Sequence, residues 1–108
     1  MTRLEMETWV AALRSGEYKQ GRKSLKKLDG TYCCLGVKCD LDDKTKWIFD
    51  EDFHEYRWKG RSCYLPLDEE RDLQSNNISM CVLAIMNDDG KSFAEIADYI
   101  EANYKETT

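Results

Sequence analysis

A chain of 108 residues supports one domain with one core, which should bury roughly two-thirds of the surface its unfolded form exposes. Its 42% hydrophobic content and twelve aromatic side chains exclude a disordered chain, and no run approaches the ~20 apolar residues of a membrane span. A formal charge of -5 opposes a phosphate-backbone partner, because nonspecific affinity for duplex DNA rests on an excess of Lys and Arg.

The N-terminal residues alternate in charge and lack a signal peptide's basic-then-apolar order, so a cytoplasmic location is expected. Five cysteines are an odd number, and an intracellular compartment keeps them as thiols.

Thr2-Arg3-Leu4-Glu5 fits the capping box, in which the threonine hydroxyl and the glutamate three residues on satisfy each other's free backbone donors. Met6, Trp9, Val10 and Leu13 then share one helical face, and Ser15-Gly16 supplies a stop in the left-handed region that glycine tolerates.

Lys19, Arg22, Lys23, Lys26 and Lys27 crowd around Gly21 and follow Tyr18 and Gln20, making a basic island in an acidic protein. Ser24 to Leu28 reads as an edge strand, with Asp29-Gly30 as a hairpin turn into Thr31-Tyr32. The alternative to a solvated hairpin is an anion or nucleotide site: glycine lets backbone N–H groups approach phosphate, the cations neutralise it, and Tyr18 offers a stacking face. No spacing here matches a Walker or dinucleotide fingerprint.

Tyr32-Cys33-Cys34-Leu35-Gly36-Val37-Lys38-Cys39-Asp40-Leu41 holds three of the five cysteines. Cys34, Val37 and Leu41 keep helical spacing, so a short helix from Cys33 to about Leu41 is expected to pack on the first one. Cysteine behaves as a small hydrophobe, and Cys-Cys-x4-Cys lacks the Cys-x2-Cys knuckles of a zinc site. A catalytic thiol needs a base, and the acidic neighbours of His54, the only histidine, favour its charged ring. Asp40, Asp42 and Asp43 lack the twelve-position pattern of an EF-hand. Neither a metal nor a catalytic set is expected.

Trp47 to Phe49 reads as a strand, and Tyr56-Arg57-Trp58 is expected to pair with Ser62 to Leu65 across Lys59-Gly60. In that hairpin Arg57, Lys59 and Arg61 alternate with Tyr56, Trp58 and Tyr64, so one face would be cationic and bordered by aromatic edges. Pro66 ends the strand, and Leu67 to Asn77 is weakly patterned, with about one helical turn at Asp68 to Asp72. Ile78, Cys81, Val82 and Ile85 return to helical spacing. Ser92-Phe93-Ala94-Glu95 is a second capping box, opening a helix with Phe93, Ile96, Ala97 and Ile100 as its buried stripe. A groove-reading helix is not expected after it. The fold expected is therefore α+β: a single compact domain over 1–108, with a small antiparallel sheet of two hairpins packed with about four short helices.

Three stretches, Trp9 with Leu13 to Gln20, Tyr32 to Leu41 and Met86 to Glu101, together resemble a family of small bacteriophage accessory proteins over nearly the whole chain; the middle, Lys44 to Asn77, is this chain's own. The resemblance brings no catalytic residues and implies a setting, the cytoplasm of an infected bacterium. The expectation is a non-enzymatic counter-defence protein that needs no cofactor. As a homo-oligomer it would sequester an anionic nucleotide immune signal with Tyr18, Lys19, Gln20, Arg22, Lys23, Arg57, Trp58 and Arg61. The alternatives are an acidic inhibitor, using Asp40 to Asp52 with Asp68 to Asp72 against a host defence protein, and a structural or morphogenetic phage component.

Overall fold

The helix opened by Thr2 is α1, Arg3–Ser15, and its cap is the expected reciprocal pair: Glu5 N donates to Thr2 Oγ1 at 3.1 Å and Thr2 N to Glu5 Oε1 at 3.0 Å. The computed structural model describes residues 1–106. Next in the chain are β1 (Lys19–Gln20), β2 (Thr31–Tyr32), α2 (Cys34–Asp42), a 3₁₀ turn at Lys44–Lys46, β3 (Trp47–Asp50) and β4 (Glu55–Trp58). Three helices complete it: α3 (Leu67–Ser75), α4 (Met80–Asp88) and α5 (Phe93–Asn103). The fold is α+β, with five α-helices and two separate two-stranded sheets among the described residues. No helix among the described residues is long and apolar enough to cross a membrane.

α1 and α5 pack face to face, burying Met6, Trp9, Val10 and Leu13 against Phe93, Ile96, Ala97 and Ile100. Arg14 closes the seam with Asp98 at 2.6 Å. α2 packs against α1 and α4, and its residues from Cys34 to Asp40 are all buried. Trp9, 1% exposed, donates its indole N–H to the Cys34 carbonyl at 3.0 Å, so one side chain contributes both apolar burial and a satisfied polar edge. Truncating a buried tryptophan of this kind typically costs about 3–5 kcal/mol. Cys33, Cys34 and Cys39 are core residues, as expected, and Cys33 caps α2 by accepting from Gly36 N through its sulfur at 3.4 Å.

The sheets depart from two hairpins. β1 and β2 run parallel, with Lys19 opposite Thr31 and Gln20 opposite Tyr32. Ser24 to Leu28 is not a strand. It keeps one antiparallel bridge, Lys26 to Tyr32, and a tight turn in which Lys27 N donates to Thr31 O at 2.9 Å. The reason is Leu25, which is wholly buried and must leave the surface path to reach the core. β4 pairs with β3, not with Ser62 to Leu65: Trp47 faces Trp58 and Asp50 faces Glu55. Asp50 Oδ1 accepts from the N–H groups of Asp52 and Phe53, closing that turn, while Lys59-Gly60 joins Trp58 to Arg61 by a single bridge. α3 is a nine-residue helix, longer than the single turn its sequence suggested. On α4 the inward residues are Met80, Leu83 and Asn87, leaving Cys81, Val82 and Ile85 on the exposed side.

Candidate anion-binding site

The loop between β1 and β2 is held at three points. Gly21 donates to the Tyr32 carbonyl at 2.7 Å, and a Cβ there would meet Thr31 Oγ1 at 2.3 Å, so only glycine keeps the parallel pair closed. Lys23 takes a positive φ of 71° and donates its backbone N–H to Asp88 Oδ1 at 2.9 Å, fastening the loop to the end of α4. Leu25 donates to Ser62 O at 2.8 Å and accepts from Cys33 N at 3.2 Å. The backbone is thus tied down, while Arg22 and Lys23 remain exposed. Arg22 lies over Gly90, where a Cβ would stand 3.1 Å from Nη2, just past the C-terminus of α4.

The eight residues named from the sequence separate into three groups. Lys19, Arg22, Lys23 and Arg61 are exposed and make no ion pair among the described residues. The Leu25 to Ser62 hydrogen bond brings the Arg22-Lys23 segment beside the Arg61 segment. Gln20, Tyr18 and Trp58 serve the fold. Gln20 bridges three elements, donating to Asn87 Oδ1 at 3.1 Å and Lys91 O at 2.7 Å while its Oε1 accepts from Phe93 N at 3.1 Å. Asn87, fully buried, continues this network by donating to Gly21 O at 2.8 Å. The Tyr18 hydroxyl donates to Asp40 Oδ2 at 2.5 Å, and burial followed by that carboxylate pushes the phenol pKa up. Trp58 is 1% exposed and donates to Asp43 O at 3.0 Å, so its ring offers no stacking face to solvent. Arg57 forms the third group, paired with Asp50 at 3.0 Å and Glu55 at 2.6 Å.

One residue of the site escaped the sequence-based set. Tyr64, 53% exposed, shares a cavity of about 210 Å³ with Arg57, Gly60, Arg61, Ser62 and Cys63. Its alternation with Arg57, Lys59 and Arg61 was the signal in the sequence, and it marked Tyr64 as an aromatic edge beside the cations. A second feature borders the island. Lys26 Nζ lies 5.5 Å from the centroid of Tyr32, 5.4 Å from Trp47 and 4.5 Å from Tyr56. Each such contact is worth about 0.5–1 kcal/mol when exposed.

The acidic side chains are employed differently. Asp40 is buried and accepts from Tyr18 and from Trp47 Nε1 at 3.1 Å. Asp42 and Glu69 hold Lys38 Nζ at 2.8 and 3.4 Å. Burial pulls the Lys38 pKa down, but those two carboxylates outweigh it and leave the ammonium more firmly charged than an ordinary lysine. Glu69 also pairs with Lys59, and Asp72 with the Met1 amine. The core thiols are poor nucleophiles for a related reason: burial pushes Cys33 up to about 11 and Cys34 well above its ordinary value. Among the described residues no three His, Cys, Asp or Glu side chains group as metal ligands.

Over residues 1–104 the chain matches the model of a family described as a domain of unknown function (DUF8296). No curated protein and no solved structure matches it.

Proposed function

We propose, for a chain that belongs to the DUF8296 family, a non-enzymatic role as a binding protein that sequesters a small anionic nucleotide at the surface made by Arg22, Lys23, Arg61 and Tyr64, flanked by Lys19. The observation that carries this reading is a local cluster of exposed cations that pair with no carboxylate among the described residues. Asp40, Asp42, Asp50, Glu55, Glu69 and Asp72 are committed to ion pairs inside the molecule, whereas Lys19, Arg22, Lys23 and Arg61 make none among the described residues. A phosphate would supply the missing counter-charge through charge-assisted hydrogen bonds, and Tyr64 presents the ring on which a base can stack. In the acidic-inhibitor alternative Asp40, Asp42, Asp50, Glu69 and Asp72 are already neutralised locally and project little field toward a basic groove, which leaves Glu51, Asp52, Asp68 and Glu70 to carry it. Together with the resemblance to bacteriophage accessory proteins, the reading extends to counter-defence in the cytoplasm of an infected bacterium, with a homo-oligomer as the acting species.

Thermal-shift titration with a panel of mono-, di- and cyclic nucleotides tests it, with oligomeric mass measured in parallel by light scattering. Stabilisation by at least one nucleotide is expected, with affinity falling tenfold or more, about 1.4 kcal/mol, in Arg22→Glu/Lys23→Glu. Arg14→Gln, which removes a paired cation on the α1–α5 seam, should bind like the wild type. Nucleotide stabilisation that survives the double reversal would sink the proposal.

A further inference from the structure

We infer that Tyr32, Trp47 and Tyr56 form a cage for a methylated ammonium group, and that Lys26 is a built-in occupant which such a ligand displaces. A lysine ammonium ordinarily keeps its water or finds a carboxylate. Here Nζ lies within 5.5 Å of three ring centroids, and Lys26 forms no ion pair among the described residues. Its positive charge is met by ring faces alone, the arrangement by which aromatic cages recognise quaternary ammonium ions.

The walls are set in place from behind. Asp40, 6% exposed, accepts from Trp47 Nε1 at 3.1 Å and from Tyr18 hydroxyl at 2.5 Å. Tyr18 in turn meets Tyr32 edge-on at 5.1 Å, Tyr32 meets Trp47 at 6.2 Å, and Trp47 meets Tyr56 at 6.5 Å. One buried carboxylate therefore orients two rings directly and a third through an edge contact. A site whose walls do not have to reorganise binds with less loss of side-chain freedom. All three wall residues are only half-buried, so the cage opens to solvent once the lysine leaves.

The preference for a methylated cation follows from hydration. A primary ammonium gives up three strong donors to water when it enters a cage, whereas a quaternary ammonium has none to lose and fits the ring faces with its methyl groups. Lys26 is tethered and so competes at high effective concentration, which lowers the affinity of the intact chain for any external cation.

Tetramethylammonium is the probe, followed through the Trp47 indole resonance in the full chain. Saturable shifts are expected in the wild type, at least tenfold tighter binding in Lys26→Met, and loss of the response in Tyr56→Leu. Sodium at the same ionic strength should leave the resonance in place. Equal affinity of wild type and Lys26→Met would overturn the displacement, and no saturable shift in either would overturn the cage. Should Lys26→Met fail to fold, the wild-type titration with its sodium and Tyr56→Leu controls decides, an unshifted Trp47 resonance refuting the site.

Discussion

Replacing Gly36 with alanine tests how the core positions the basic loop. A Cβ on Gly36 would fall 1.7 Å from the Leu25 carbonyl oxygen, 2.6 Å from its carbon and 3.1 Å from its Cα, all backbone atoms with no rotamer to adjust. Ordinary contact begins at 3.4 Å, so helix and loop must separate by about the difference, 3.4 - 1.7 = 1.7 Å. That movement breaks the hydrogen bond from Cys33 N to Leu25 O, now 3.2 Å, and loosens Leu25, which is wholly buried. Forcing a methyl into a packed core costs about 1–3 kcal/mol, and an unmet buried backbone pair adds a similar amount. Alanine returns about 1 kcal/mol in helix propensity. The net loss is about 3 kcal/mol, a large share of the ~5–15 kcal/mol that holds a domain together.

Gly36→Ala should therefore lower the thermal midpoint by roughly 12 °C, read by circular dichroism with urea unfolding as a second measure. Gly16→Ala is the control. A Cβ at Gly16 meets nothing within 4 Å, and its cost, about 1 kcal/mol, comes only from a left-handed φ of 80°. Because Arg22 and Lys23 lie just before Leu25, nucleotide stabilisation should fall in Gly36→Ala and persist in Gly16→Ala. A Gly36→Ala protein as stable as the wild type would refute the reasoning, since no flexible side chain is there to absorb the clash.

The capping boxes should show in the pH dependence of stability. Hydrogen bonds from the backbone and then the side chain of Thr2 hold the Glu5 carboxyl below its ordinary value, and Ser92 does the same for Glu95. A carboxyl with a depressed folded-state pKa adds stability above its ordinary value and loses it as pH falls through the folded one. The urea midpoint of the wild type should thus exceed that of Glu5→Gln/Glu95→Gln at about pH 6 and converge with it near pH 3; a pH-independent gap would contradict the assignment. Thiol titration gives a second check. Cys63 and Cys81 are exposed while Cys33, Cys34 and Cys39 are buried, so two thiols should react promptly in the native protein and all five only after denaturation. Prompt reaction of a third would mean that α2 is not the sealed element described.

What could be read from the sequence was local. The helices at either end carry their start signals within four residues, Thr2 with Glu5 and Ser92 with Glu95, and both formed as expected. The burial of Cys33, Cys34 and Cys39 followed from side-chain chemistry alone. What could not be read depended on residues far apart in the chain. Gln20, an amide among cations, resembled a ligand contact, but Asn87, Lys91 and Phe93 engage both its N–H groups and its oxygen. Tyr18 looked like a stacking face, but its partner is Asp40, 22 positions away. β1 and β2 were missed as a parallel pair because the return between them is a loop tied to α4 and to Ser62, not a periodic element. On α4, spacing marked a helix but not its inward side, because Asn87 rather than an aliphatic residue faces the core.

The net charge of -5 conceals how the charges are distributed. A sum treats Asp40 and Arg22 as equal and opposite, yet the first is buried behind two aromatic side chains and the second stands in solvent. Among the cations without an ion pair in the described residues, Lys19, Arg22, Lys23, Lys26 and Lys27 are gathered on one loop, with Arg61 on the segment beside it. That loop is also where the fold invests its closest packing, with Gly21 against Thr31 and Gly36 against Leu25. Leu25 divides it, Arg22 and Lys23 on one side and Lys26 on the other. With its N–H on Ser62 and its carbonyl on Cys33, Leu25 fixes the backbone on which both features are built. α2 therefore shapes the candidate site without supplying a reactive group: its buried face determines where the cations of the loop stand.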